Sequence, residues 1–399
     1  MVAKKRIPEE VDDIEAWNRE DASELDHPNN RKKYSISVAS RDWTVETIVQ
    51  QIRSGNIDLD PAFQRRNAWR DPRRSRLIES FILGFPVPQI VLAESTRQRG
   101  KFIVIDGKQR LMTIAGFFLP DYRNYWTQSK LIGLEVLEDL NKIEIDDVLN
   151  KAEYAAERRQ LANADIRTTI ITGFKDEAVL YDIFYRINVG SVPLSSQELR
   201  QALLPGKFSR YLLEVTGTDN PLWTVLKINA PDPRLRDVEL LLRLIAWRKF
   251  SSRYKGNMKS FLDDTMETLN DHWVVERDDT ESLVGQILKG IGTTSKIFGE
   301  NAGRKYKAGE FESSFNRALF EVQAYYFSFA ATRLAATKNP KAVKVGFEKL
   351  SGDLGFIASI ESTTKSIENA RTRFVKFHGM LRKVLPTKLV PIRVGASKG

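Results

Sequence analysis

Phe102-Ile103-Val104-Ile105-Asp106-Gly107-Lys108-Gln109-Arg110-Leu111-Met112-Thr113-Ile114-Ala115-Gly116-Phe117-Phe118 changes its period in the middle. The run Phe102 to Ile105 is short, apolar and rich in β-branched residues, which reads as a buried strand. Leu111, Ile114, Ala115 and Phe118 recur at helical spacing, so Asp106 to Arg110 is a strand-to-helix turn. The helix therefore begins beside a lysine and an arginine, although its free N–H groups and positive dipole end favour acidic neighbours by roughly 0.3–1 kcal/mol each. A bound anion resolves that conflict: Gly107 lets a phosphate approach the backbone, amides point at its oxygens, and Lys108 and Arg110 neutralise it. The alternative is that Asp106 caps the helix and the basic side chains lie in water.

A second basic helix start lies upstream. Asp71 as N-cap and Pro72 at the first helical position predict a helix carrying Leu77, Ile78, Phe81 and Ile82 inward, yet its first turn holds Arg73 and Arg74. Gln64, Arg65, Arg66 and Arg70 precede it. Six arginines between positions 65 and 76, interleaved with Trp69, favour an anion cradle over a solvated face.

Working outward, residues 1 to 33 are charged and lack periodicity, which predicts an arm. Residues 34–205 alternate strand and helix signals. A strand is expected near Ile36 to Ala39 and a helix on Val45, Ile48, Val49 and Ile52. Further strands are expected at Gln89 to Ala93, Ile132 to Leu137 and Thr168 to Thr172, with a helical excursion over Asp139 to Arg167. Ala178 to Ile187 reads as a helix, and Ser195 with Glu198 has capping-box spacing, predicting Leu199, Ala202 and Leu203 as an inner face. Over 206–399 strand signals fade. Val238 to Trp247, Met258 to Leu269, Leu283 to Ile291, Phe315 to Leu334 and Ile367 to Val384 all read as helices. The expectation is α+β followed by an all-helical half.

The chain of 399 residues has a formal charge of +10 and a pI near 9.5, which favours polyanionic partners such as nucleic acid or nucleotides. Without cysteine, disulfides and thiolate zinc sites are excluded. No signal-peptide pattern opens the chain and no apolar stretch is long enough to span a bilayer, so a cytoplasmic protein with no membrane partner is expected. No acid follows Glu368, and Arg371, Arg373, Lys376, Arg382, Lys383, Lys388 and Arg393 decorate the last segment, as a solvated face or as a nucleic-acid contact.

Three separated segments resemble one family: Pro61-Ala62-Phe63-Gln64-Arg65 with Trp69; Ile105 to Arg110; and Arg186-Ile187-Asn188-Val189-Gly190-Ser191-Val192-Pro193-Leu194 with Gln197-Glu198-Leu199-Arg200. Their order and spacing are similar to the N-terminal domain of GmrSD-type modification-dependent restriction enzymes, related to the ParB and sulfiredoxin fold. The resemblance implies a small mixed sheet flanked by helices, a nucleoside-triphosphate site around a D-G-Q-Q-R turn, and a role in bacterial defence against phage or modified DNA. Asp106, Gly107, Gln109 and Arg110 match that turn, and Gln64 and Arg65 match the family's Q-R pair. Lys108 stands where the family usually has Gln, and Val189 and Ser191 depart from its usual N-T-G-G. Many relatives continue into an HNH nuclease, which needs a histidine base beside metal ligands. Here His27, His272 and His378 are far apart, so cutting is expected from a partner subunit.

Two mechanisms follow. In the first, a triphosphate sits on Gly107, Lys108 and Arg110, with Gln64, Arg65, Arg73 and Asn188 around it. Asp106 orients Mg²⁺ or an attacking water, and Gln109 positions water or a base, which makes the protein a candidate NTPase. In the second, the chain is a non-enzymatic DNA-binding module whose Arg66, Arg70, Arg74, Arg371, Lys376 and Arg382 contact phosphates. An assembly subunit of a defence complex is the third reading.

Overall fold

The computed structural model describes residues 36–59, 69–96, 98–174, 179–180, 183, 195–361, 364 and 366–395. Contacts divide the chain into two compact units between Leu194 and Ser195. The sequence placed that division at 205. The helix Ser196–Leu203 accounts for the difference, because Ser195 donates to the Arg234 carbonyl and Arg200 pairs with Asp263, tying it into the second unit.

The first unit runs β1 (Ser37–Thr44), α1 (Val45–Arg53), α2 (Asp71–Ile82), β2 (Ile90–Glu94), β3 (Phe102–Asp106), α3 (Lys108–Phe118), α4 (Ile145–Asn150), α5 (Ala155–Asn163) and β4 (Asp165–Thr172). The strands form a mixed sheet in the order β1-β4-β2-β3. β4 lies antiparallel to β1 and parallel to β2, and β2 lies antiparallel to β3 with Val91 opposite Asp106. Ile90 to Ala93 are buried, as a central strand without alternation requires, whereas the edge strand β1 is mostly exposed. α1 begins where the Thr44 hydroxyl accepts the Thr47 amide, and it turns Val45, Ile48, Val49 and Ile52 inward. They meet Leu77, Ile78 and Phe81 of α2 and Leu111, Met112 and Ala115 of α3 in one core with Ile90, Leu92 and Val104.

The expected strand at Ile132 to Leu137 is absent; that stretch is a loop. Its apolar alternation mimics a strand, but its amides are claimed by a helix. Asp71, Ser75 and Glu79 lie one turn apart on α2 and accept from Thr127 and Gln128, from Ile132, and from Glu135, Val136 and Leu137 respectively. Asp71 therefore does not cap α2 as expected: the N-cap is Arg70, without a side-chain bond, and Asp71 is the first helical residue. Buried Glu79 holds three backbone donors with charge-assisted bonds. Glu79→Ala is expected to cost about 2–3 kcal/mol, because those amides lose an ionised acceptor. A fall in the urea midpoint at constant m value, with faster amide exchange at 135–137, is the measurable result; an unchanged midpoint contradicts it.

The second unit continues with α6 (Ser196–Leu203), α7 (Lys207–Thr216), α8 (Pro221–Leu226), α9 (Arg236–Phe250), α10 (Met258–Asp271) and α11 (Trp273–Phe298). After β5 (Arg304–Lys307) and β6 (Glu310–Phe315) come α12 (Arg317–Phe327), α13 (Ala330–Lys338), α14 (Pro340–Leu350), α15 (Leu354–Glu361) and α16 (Ile367–Val384). The predicted capping box is present, since Ser195 accepts the Glu198 amide and Glu198 accepts the Ser195 amide. Leu199 and Leu203 are buried and Ala202 is half-buried. The half is helical as expected, with one hairpin that the sequence reading did not anticipate. The stretch Phe315 to Leu334 is a strand end and two helices rather than one helix, broken at Ser328 and Phe329. Among the described residues, no helix is long and apolar enough to cross a membrane.

The centre of this unit is ionic as well as apolar. Glu239 accepts from Arg243 at 2.6 Å and Arg317 at 2.8 Å, and Glu321 accepts from Arg243 at 2.8 Å and Arg373 at 3.2 Å. All five side chains are buried.

Candidate functional site

β3 delivers Asp106 to the end of the sheet, and the chain reverses into α3 through Gly107, whose φ of +92° is the left-handed region that glycine tolerates. Space enforces the same choice. A Cβ there would lie 3.0 Å from Ile90 Cγ1 and 3.2 Å from Arg110 Nη2, so the turn packs directly under the arginine. No side chain caps α3 and its first turn holds no acid. Its amino end thus keeps the positive pole of the helix beside Lys108 and Arg110.

The arginine is not left waiting for a guest. Arg110 Nη2 donates at 2.8 Å to Asp106 Oδ2 and at 2.8 Å to the Gln89 carbonyl, so the fold itself supplies the counter-charge that the sequence reading assigned to a bound anion. Its Nε and the Gln109 Oε1 are buried without hydrogen-bond partners, while Gln109 Nε2 approaches Met112 Sδ at 3.8 Å. Asp106 keeps 35% of its side chain exposed, which leaves the corner open on the carboxylate side. The arrangement is an arginine latched across a strand-to-helix turn, with a solvent-facing carboxylate next to a helix amino end. It can hold an oxyanion at the amides and a cation at Asp106, provided that the latch shares or releases the carboxylate.

The arginine run divides. Arg70 and Arg73 are exposed, and the Arg73 guanidinium stacks 4.4 Å from the ring centre of half-buried Trp69. Arg76 pairs with Glu135 at 3.1 Å. Arg74 is a correction: expected to contact DNA, it points inward at 1% exposure and bonds Asp71 at 2.8 Å. Burial pushes its pKa below the usual range, opposed by Asp71. Gln64, Arg65, Arg66 and Asn188, and most of the helix expected at Ala178 to Ile187, lie outside the described residues.

The basic tail divides too. Lys376 is taken by Asp353 at 2.7 Å, and Arg373 is buried against Glu321 rather than solvated. Arg371 is exposed but gives its Nε to the Val394 carbonyl at 2.7 Å, and Arg382 is exposed. His272 bonds the Thr268 carbonyl on the surface, and half-buried His378 packs on Tyr326. Burial first, and then the Arg382 charge, hold the His378 imidazole below its ordinary pKa. Among the described residues, no three His, Asp or Glu side chains gather as a metal site. The Gln89 carbonyl and Ile90, which define the turn, were missed because a backbone acceptor carries no sequence signal. The Asp71, Ser75 and Glu79 stripe was readable from its spacing of four.

Residues 45–205 match the family model described as GmrSD restriction endonuclease, N-terminal domain. No curated protein and no solved structure matches the chain significantly.

Proposed function

We propose, from the match of residues 45–205 to the family model described as GmrSD restriction endonuclease, N-terminal domain, that this chain is the nucleotide-responsive component of a bacterial restriction or anti-phage system, with a nucleoside triphosphate at the amino end of α3. The observation that carries the reading is the uncapped start of α3, with a left-handed glycine and with Lys108 and Arg110 in its first turn. Phosphate oxygens meet the amides, Lys108 adds charge, and exposed Arg73, in the first turn of α2, is carried into the set as a further cation. Gln64, Arg65 and Asn188 complete the set by family resemblance.

Asp106 is the residue to hold Mg²⁺ carried by the triphosphate, whose own oxygens supply the other ligands, because no protein cluster does so among the described residues. The metal would neutralise phosphate charge. Were Asp106 to hold the metal, Arg110 would lose its carboxylate partner while keeping the Gln89 carbonyl, and its charge would be available to the phosphates. Gln109, whose buried Oε1 has no partner in this arrangement, would turn outward to orient a water for hydrolysis. Cutting of DNA is assigned to a separate nuclease subunit.

Isothermal titration of the whole chain with ATP, GTP, CTP and UTP, with and without magnesium, tests this. Binding of at least one nucleotide is expected, weakened at least tenfold in Arg110→Ala, with phosphate release measured in parallel. Absence of heat with all four overturns the proposal, and so does full affinity in a folded Arg110→Ala protein.

A further inference from the structure

Beyond the end of α16 the chain turns back along the helix that precedes it. Two contacts near the start of that helix fix this course: Arg371 donates to the Val394 carbonyl at 2.7 Å, and position 395 lies against Ile367 and Arg371. Position 394 thus lies beside 371, so the segment after Val384 runs back antiparallel to α16. Gly395 then donates to the Ser251 carbonyl at 3.0 Å. Leu385, Leu389 and Val394 are buried, while Lys388, Val390 and Arg393 between them face outward.

Helix and strap therefore share one surface. On α16, Arg371, Val375, His378 and Arg382 fall within a narrow stripe at 100° per residue, with Gly379 and Lys383 on its flank. Of the basic residues here, Arg373 is buried on Glu321, Lys376 is paired with Asp353, and Arg371 anchors the strap. Arg382, Lys383, Lys388 and Arg393 remain, all exposed and without a carboxylate partner among the described residues. No Asp or Glu occurs after Glu368 to neutralise them. α14, packed with Gly346 against Met380 and Val384, adds exposed Lys341 and Lys349, with Glu348 as a half-buried acid.

The geometry points to a ridge that binds the phosphate backbone of duplex DNA without regard to sequence. From Arg371 to Arg382 the helix rises about 16 Å, a length of duplex axis over which the two strands together present about nine phosphate charges. Four unneutralised cations along such a length suit a regular line of anions. Of the basic residues that the sequence offers in this segment, Arg373 and Lys376 drop out and Arg371 is committed to the strap, whereas Arg382, Lys383, Lys388 and Arg393 stay. The ridge lies outside the family-matched residues and does not depend on the nucleotide reading.

Anisotropy of a labelled mixed-sequence DNA duplex, read from low to high salt with the full chain, tests it. Four phosphate contacts predict affinity falling about 100-fold between roughly 50 and 200 mM salt, a log–log slope of about −3.6. Combining Arg382→Ala, Lys383→Ala, Lys388→Ala and Arg393→Ala is expected to flatten that slope and lower low-salt affinity at least 100-fold. Neutralising the scattered Lys101, Arg159, Lys296 and Lys338 changes it far less. Gly379→Lys gives the opposite sign: no atom lies within 4 Å of a Cβ there, so an added cation should tighten binding and steepen the slope by about one. The inference fails if the chain does not bind DNA at low salt, if the fourfold variant keeps the full slope, or if the scattered variant loses as much. Binding confined to duplex RNA or to phosphatidylserine vesicles also overturns it.

Discussion

Glu321→Gln lowers the stability of the helical unit by about 3–5 kcal/mol, because it leaves buried guanidinium charge uncompensated. Glu239 and Glu321 face three arginines, Arg243, Arg317 and Arg373, with every side chain in the cluster buried. Neutralising Glu321 leaves one carboxylate for three cations in a place water does not reach. Urea unfolding of the whole chain should show the transition of this unit moving to lower denaturant; a loss below about 1 kcal/mol would mean that the arginines find other acceptors. The same cluster sets an acid limit. Burial pushes the Glu239 carboxyl up, but Arg317, Arg243 and Arg200 outweigh it and hold the carboxyl at about 2, against an ordinary 4.5. A folded-state pKa below the unfolded one stabilises the fold in full above pH 4.5 and is lost as pH falls from there toward about 2. Acid unfolding of the unit should fall in that window.

Two glycines on α11 should respond to alanine with opposite signs. A Cβ at Gly290 would lie 2.6 Å from the Ser328 amide nitrogen and 2.8 Å from its Cα, backbone atoms at the end of α12 that cannot rotate away. At Gly285, on the same helix, nothing lies within 4 Å. Alanine in a helix interior gains about 1 kcal/mol over glycine, so Gly285→Ala is expected to stabilise by roughly that amount. At Gly290 the two helices must separate, and a net loss of about 1–3 kcal/mol is expected despite the same intrinsic gain. Thermal midpoints of the two variants read the difference. Equal shifts would show that the α11–α12 contact yields at no cost.

What the sequence made legible follows from period. α1, α2, α3, the strands beside them and the Ser195 box were readable because each presents a repeated spacing with a local start signal. Ile132 to Leu137 misled because apolar alternation fits a loop whose amides are bonded to side chains as well as it fits a strand. The hairpin was missed although Ala308-Gly309 marks its turn, with φ of +52° and +91°. Arginines were the weakest reading. Residue type places a guanidinium in solvent, yet Arg74 turns in toward Asp71 and Arg373 toward Glu321, a partner 52 positions away that no local pattern reveals. At the candidate site, the turn and its glycine were legible, whereas the closure of Arg110 onto Asp106 required knowing that the Gln89 carbonyl lies beside them.

The clamp that α2 places on the segment 127–137 also bears on how this domain can change length. Its three acceptors work only because Asp71, Ser75 and Glu79 share one azimuth. One residue gained or lost between them swings the following acceptors by about 100° around the axis and strips the segment of its anchorage at a stroke. Indels are accordingly barred from the first two turns of this helix more strictly than most substitutions are, and variation in length must be absorbed elsewhere in the chain.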